Sequence, residues 1–298
     1  MNIAVVFPGQ GSQSIGMLDG YAVDWPVVSE TFAQASAVLG YDLWEVVSKG
    51  PEERLNQTQI TQPAMLAADI AIMRVMQEQC MTKPFAFAGH SLGEYAALVA
   101  ERGRLMQNAV PEGQGAMAAI LGLHNEAVRT ACAAAAEACG EVVEAVNYNS
   151  PGQVVIAGTV AGVELAMAKA SEAGAKKAIR LPVSVPSHCA LMKPAAAELA
   201  EFLKTIEIRT PDIQVIHNVD ARSHDEPDEI REALVKQLYS PVRWVQTMEI
   251  LASAADDAII ECGPGRVLTG LTRRIVKDVA TYALDKPESM QKFLDSVQ

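Results

Sequence analysis

The residues with the clearest chemical potential are Gly89-His90-Ser91-Leu92-Gly93, a G-x-S-x-G pattern in which two glycines bracket a serine. A turn sharp enough to expose a serine hydroxyl tolerates no Cβ close to it. A helix that follows offers backbone N–H groups and a dipole that favour a developing anion. The chemistry this suits is attack by Ser91 on an acyl carbonyl, although a glycine-rich turn can also give the pattern by accident. A hydroxyl is a weak nucleophile and needs a base. Five histidines compete for that role: His90, His124, His188, His217 and His224. His188, in Pro186-Ser187-His188-Cys189, follows the last predicted strand of a second structural unit and so returns the chain towards the serine, which makes it the best candidate over the reading of a plain loop histidine. His90 adjoins Ser91, but neighbours on such a turn point in different directions, so it reads as structural. Metal chemistry finds no support. No two histidines stand at i, i+4, and the five cysteines (Cys80, Cys132, Cys139, Cys189, Cys262) are odd in number and never spaced CxxC, which disfavours both a zinc site and a disulfide framework.

The elements that must position these residues can be read from periodicity. Ile3–Phe7 is a short β-branched apolar run stopping at Pro8-Gly9-Gln10-Gly11, the pattern of a buried strand feeding a tight turn. Pro84–Ala88 ends likewise at Gly89, and Leu92 to Val99 carry apolar residues at helical spacing, giving strand, turn, helix around Ser91. Val215-Ile216, followed by Asn218, and Ala258-Ile259-Ile260, followed by Cys262-Gly263-Pro264-Gly265, predict two further strands that run into loops. Between these lies a different rhythm: strand Ala116–Leu123, helix Glu126–Ala138, strands Val142–Val146 and Val154–Ala157 around the turn Asn149-Ser150-Pro151-Gly152, helix Val163–Ser171, strand Ala178–Val183. The order βαββαβ is that of a ferredoxin-like unit. The chain therefore divides into an α/β catalytic domain of residues 1–112 and 186–298 with residues 113–185 inserted, and a cleft between the two is the expected ligand site.

Composition narrows the function classes. The 298 residues are 50% hydrophobic and 20% charged, with 24 basic against 36 acidic side chains, a formal charge of −12. That is a folded protein with a large core, and it would repel a polyphosphate, so nucleic acid is not an expected partner. The N-terminus lacks a basic stretch before its apolar run, and no run approaches the roughly 18 apolar residues that span a bilayer. A reducing, cytoplasmic setting without membrane contact is expected.

Several ordered motifs together carry a resemblance. Phe7-Pro8-Gly9-Gln10-Gly11-Ser12-Gln13, Gln62-Pro63, Gly89-His90-Ser91-Leu92-Gly93-Glu94-Tyr95, Arg102-Gly103, Asn147-Tyr148-Asn149-Ser150-Pro151-Gly152-Gln153, Pro186-Ser187-His188 and Gly263-Pro264-Gly265 resemble the malonyl-CoA:acyl carrier protein transacylases of bacterial type II fatty acid synthesis, nearly end to end. The resemblance implies an α/β-hydrolase-like large domain and a ping-pong transfer of malonyl from malonyl-CoA to the phosphopantetheine thiol of acyl carrier protein, without metal or cofactor, by a monomer. It implies Ser91 as nucleophile, His188 as base, the Gln237 main-chain carbonyl as the group that orients His188, and the N–H groups of Gln10 and Leu92 as oxyanion donors. Arg102 would hold the free malonyl carboxylate, with Gln62, Asn147 and Asn149 lining the site. Phe7, Met117 and Val267 read as core.

Two consequences of the resemblance are specific to this chain. Relatives have about four more helical turns between the serine and this arginine, so Ala97-Leu98-Val99-Ala100 runs straight into Glu101-Arg102 and must deliver the arginine by a shorter route. Carrier proteins of such pathways are acidic, so a chain of charge −12 needs a local basic surface to dock one. The candidates are Lys176, Lys177 and Arg180, or Arg273, Arg274 and Lys277. Alternatives are a serine thioesterase or esterase on a similar scaffold, a malonyltransferase of polyketide synthesis, and a non-catalytic subunit that binds carrier protein.

Overall fold

The apolar runs that end in glycine-rich turns are strands, and they lie side by side. The computed structural model describes residues 2–80, 82–94, 99–111, 113–183 and 185–297. Within them lie nine strands: β1 (Ile3–Phe7), β2 (Ala86–Gly89), β3 (Gly115–Leu121), β4 (Val143–Ser150), β5 (Gln153–Thr159), β6 (Lys177–Arg180), β7 (Gln214–Ile216), β8 (Ala258–Glu261) and β9 (Ala280–Ala283). The chain divides into two compact units, one of Met1–Gly103, Pro211–Ile216 and Met248–Gln298, the other of Arg104–Thr210 and His217–Thr247. The fold is α/β, with a parallel sheet in the first unit and an antiparallel one in the second.

In the first unit the strand order is β7-β2-β1-β8-β9, every pair parallel. Parallel sheets are covered on both faces, which is why β1 and β8 are almost wholly buried and read as continuous apolar runs. The register pairs Phe7 with Gly89 and Val6 with Glu261, so β1, β2 and β8 end level and their loops leave from one edge of the sheet. Ligands of open parallel sheets bind at this carboxyl edge. The Thr58–Gln79 helix buries Ala64, Ala68, Ala71, Ile72 and Val75 in the core and packs against the Pro26–Leu39 helix. Each large aliphatic side chain buried here contributes about 1.5–3 kcal/mol.

The second unit contains the sheet β4-β5-β3-β6, all antiparallel, with the helices Asn125–Cys139 and Val160–Glu172 packed on one face. This order and the βαββαβ connectivity make the ferredoxin-like arrangement that the periodicity predicts. Alternation sorts the side chains: Ala118, Ile120, Val154 and Ile156 face the helices, while Met117, Val155 and Ala157 join Val146 and Cys189 on the other face. The unit that contains residues 113–185 also takes in His188 and the Pro227–Gln237 helix.

Details depart from the sequence reading. β4 continues to Ser150, so Asn147 and Asn149 are strand residues and the turn contracts to Pro151-Gly152. Pairing with β5, together with Tyr148 N donating to Val242 O at 3.0 Å, overrides the turn preference of Asn and Ser. β6 ends at Arg180 instead of Val183. After Ser91 the chain makes a single 3₁₀ turn to Glu94. The rest of the helix expected from Leu92 to Val99 lies at 95–98, outside the described residues, and a helix runs from Val99 to Ala109. Met117 is core and Phe7 packs against core, but Val267, expected inside, is 49% exposed as the first residue of the Val267–Ile275 helix. No helix among the described residues is long and apolar enough to cross a membrane.

Candidate active site

Ser91 stands where β2 turns over the end of β1. His90 N donates to Phe7 O at 2.9 Å, tying the turn to the neighbouring strand, and Ser91 itself takes a left-handed backbone, φ 57°. A non-glycine residue held there costs about 1–2 kcal/mol, a strain found where structure serves a site. Two glycines make the close approach possible. A Cβ on Gly93 would fall 2.5 Å from Phe7 O, and one on Gly9 would fall 2.4 Å from His90 O, so the loops after β1 and β2 interlock backbone to backbone. Gln10, in the first of these loops, donates from Nε2 to Thr58 Oγ1 at 3.3 Å, and Leu92 is buried.

Arg102 reaches the same place. Its side chain is 1% exposed; Nη1 donates to Gln62 Oε1 at 2.8 Å and Nη2 to Ser91 Oγ at 3.2 Å. The shorter route therefore suffices, and the reason is lateral packing. Gly103 lets the Val99–Ala109 helix lie against the backbone of the Thr58–Gln79 helix, where a Cβ would stand 3.2 Å from Thr58 O and 3.3 Å from Gln59 Cα. Ser91, Arg102 and Gln62, scattered in sequence, form one hydrogen-bonded group in the first unit.

In the second unit His188 is held by both of its N–H groups. Its main-chain N donates to Leu238 O at 2.9 Å, and its ring Nδ1 lies 2.8 Å from Gln237 O. A carbonyl only accepts, so Nδ1 carries the proton and Nε2 is the basic nitrogen of neutral His188. Gln237 and Leu238 close the Pro227–Gln237 helix, so carbonyls at its C-terminal end fix both the ring and the main chain of His188. His188 also has a left-handed backbone, φ 66°, fixed by Ser187 N donating to Val185 O and Ala190 N to Glu144 Oε2. Burial pushes the adjacent Cys189 thiol up to about 12, which keeps it protonated and no rival nucleophile. Asn147 and Asn149 are buried on β4.

The other histidines lie in different settings. His224 Nε2 meets Asp220 Oδ2 at 2.8 Å and its ring stands 5.3 Å from that of His217, while His124 precedes the Asn125–Cys139 helix. Among the described residues no group of three or more His, Cys, Asp or Glu could hold a metal ion. Of the basic candidates, Lys176, Lys177 and Arg180 are exposed on or beside the edge strand β6, with Arg180 paired to Glu164, and Arg273 and Arg274 occupy the last turn of the Val267–Ile275 helix. Sequence reasoning missed Thr58, one helical turn before Gln62, and the Leu238 carbonyl, for which the end of a predicted helix would have been the signal.

A serine on a strand-turn junction braced by a buried arginine, and in the other unit a histidine fixed by carbonyls, are the kinds of group that acyl transfer uses. The acyl transferase domain model matches residues 4–289, and the chain belongs to that family. It is 57% identical over 297 residues to the malonyl CoA-acyl carrier protein transacylase of Haemophilus influenzae, with 95% of each chain covered. It is 52% identical over 306 residues to that of Escherichia coli, with 98% of each covered. The latter alignment exceeds the 298 residues of this chain, so that relative has positions with no counterpart here. Among solved structures, a malonyl-transacylase in complex with its type II PKS acyl-carrier protein superimposes with a TM-score of 0.95 at 52% identity, covering 99% of this chain and 100% of that one. An acyl carrier protein S-malonyltransferase from Vibrio cholerae gives 0.94 at 54% identity, with full coverage of both.

Proposed function

We propose that this protein transfers a malonyl group from malonyl-CoA to the phosphopantetheine thiol of an acyl carrier protein through a malonyl ester on Ser91. The observation that carries the reading is the Arg102 guanidinium 3.2 Å from Ser91 Oγ. A buried arginine beside the nucleophile suits an acyl group that ends in a carboxylate. Binding that carboxylate fixes the acyl chain, so that selectivity for malonyl over acetyl follows from the same contact.

The proposed steps follow from the groups present. Ser91 Oγ attacks the thioester carbonyl as His188 Nε2 takes its proton. The N–H groups of Gln10 and Leu92 receive the oxyanion, and collapse expels the CoA thiolate, which recovers the proton from His188. The carrier thiol then repeats the sequence in reverse on the Ser91 ester. Because Gln237 contributes a neutral carbonyl, no further negative charge is added beside an anionic substrate. Gln62 keeps Arg102 aimed, and Asn147 and Asn149 are assigned to lining the substrate path. The reading is of a monomer working without metal or cofactor. The five free thiols fit a reducing, cytoplasmic setting. The exposed lysines beside β6 and the arginines of the Val267–Ile275 helix are the proposed approach for an acidic carrier.

Intact mass after brief exposure to malonyl-CoA tests the reading. The wild type gains one malonyl group that is discharged when phosphopantetheinylated carrier is added, and Ser91→Ala gains none. A hydrolase would instead release malonate steadily without carrier, and a non-catalytic binding subunit would show no adduct. Absence of an adduct on the wild type overturns the proposal.

A further inference from the structure

Beneath the loops at the carboxyl ends of β1 and β8 the first unit buries a carboxyl group that the proposed reaction does not use. Asp69, on the Thr58–Gln79 helix, is 2% exposed, and neither of its carboxyl oxygens has a hydrogen-bond partner among the described residues. Buried polar atoms are nearly always paired, so an orphaned pair of oxygens needs a reason. The packing supplies one. A Cβ built on Gly263 would fall 2.3 Å from Asp69 Oδ1 and 2.4 and 2.5 Å from Pro8 Cγ and Cδ, so the carboxyl and the proline ring both press against the bare Cα of Gly263. Pro8 opens the Pro8-Gly9-Gln10-Gly11 loop, and Gly9 in turn lies against the carbonyl of His90. The same junction is pinned from the sheet side, where Cys262 N donates to Val6 O at 2.8 Å and Cys262 Sγ to the Asp69 main-chain carbonyl at 3.7 Å.

We infer that Asp69 is a positioning residue for the acyl-transfer site: through Gly263 and Pro8 its carboxyl sets where the Gln10 N–H stands relative to Ser91. The inference rests on the assignment of Gln10 as an oxyanion donor. Burial first, and the nearby Glu261 carboxylate second, hold the Asp69 carboxyl well above the usual range, which favours the uncharged acid. The titratable groups around it are Glu261 on β8, Cys262 in the loop that follows, and Arg74 on its own helix. Arg74 borders with it a cavity of about 200 Å³, but its Nη1 donates to Thr31 and Gln34. Uncharged, the group packs like an amide. Ionised beside Glu261, it would drive Gly263 and Pro8 outward, and a displacement of the oxyanion donor of about 1 Å is enough to slow chemistry on the order of 100-fold.

The test compares wild type, Asp69→Asn and Asp69→Ala. Single-turnover acylation of Ser91 by malonyl-CoA is followed by quenched intact mass from neutral pH to about pH 10, above the roughly 8–9 documented for buried carboxyls. Thermal melts accompany each point. Asn keeps the shape and cannot ionise, so it acylates within about threefold of wild type at neutral pH and loses less of its rate at the alkaline end, by threefold or more. Ala leaves the loop unsupported, and its saturating rate falls about tenfold with KM within twofold. A folded Asn variant that tracks the wild type at every pH, or that is itself tenfold slower at neutral pH, overturns the inference. So does a folded Ala variant at the wild-type rate. If Ala does not fold, the Asn profile decides. A wild type that forms no adduct refutes the acyl-enzyme reading itself and is seen before any variant is made.

Discussion

One methyl group at Gly93 is expected to separate the serine turn from the strand that supports it. The added Cβ would lie 2.5 Å from Phe7 O, 2.8 Å from Phe7 Cβ and 2.9 Å from Phe7 C, where ordinary contact begins at 3.4 Å, so turn and strand must part by about 0.9 Å. Nothing flexible stands in the way to give: the obstructing atoms are mostly backbone at the end of β1, inside a parallel sheet. Overpacking of this kind costs about 1–3 kcal/mol. Loss of the His90–Phe7 hydrogen bond adds about 1 kcal/mol. Gly93→Ala should therefore unfold in urea with stability lowered by about 2–4 kcal/mol. Because the shift moves Ser91 by close to 1 Å, its single-turnover acylation should slow by on the order of 100-fold. Gly270→Ala is the matched control. It lies inside the Val267–Ile275 helix with nothing within 4 Å of its would-be Cβ, so it should gain about 0.5–1 kcal/mol and acylate normally. A Gly93→Ala protein with wild-type stability and rate would refute the interlocked-loop account of the site.

Three further outcomes are expected. Arg102→Ala should lower acylation by malonyl-CoA more than by acetyl-CoA, the ratio changing by roughly 10- to 100-fold for the loss of one or two charge-assisted hydrogen bonds, and equal losses would count against a carboxylate clamp. Ser91→Gly should be more stable in urea than Ser91→Ala by about 1 kcal/mol, because only glycine accepts φ 57° without strain; equal stabilities would show that the turn is unstrained. The raised Asp69 carboxyl contributes fully only below the unfolded value near 4. As pH rises from there towards the folded value, the unfolded chain has already released the proton that the folded one keeps, and stability falls by at most about 1.4 kcal/mol per pH unit. Asp69→Asn removes that loss, so its stability relative to wild type should climb by on the order of 1–4 kcal/mol between about pH 4 and pH 7, whereas a constant difference in melts across that range would contradict the assignment.

What could be read from the sequence was what local spacing encodes. The strand ends and glycines around Ser91 announce themselves within a few residues, and βαββαβ follows from the periodicity of 116–183. Side-chain identity says nothing about main-chain carbonyls, so Gln237 could be named only through resemblance, although a helix ending beside it offers the physical reason. Asp69 is invisible for a different cause: among Ala67, Ala68, Ile70 and Ala71 it looks like a polar interruption of an apolar helix, and only the approach of Gly263 and Pro8 gives it meaning. Asn149-Ser150 reads as the start of a turn until pairing with β5 carries β4 on to Ser150. Val267 looks like core in the sequence, yet as a helix's first residue it faces solvent.

The way Arg102 is held bears on how such chains change over time. The residue is fixed by a bracket, the Gln62 amide and the backbone beside Gly103, and not by the tether of eleven positions that joins it to Ser91. Closing a loop becomes harder only slowly with length, about 0.6 kcal/mol for each doubling. Insertions and deletions in that tether can accumulate at little cost while the arginine stays in register. A substitution at Gln62 or Gly103, by contrast, would move it at once, so at Gly103 intolerance to altered composition directly adjoins a segment tolerant of altered length.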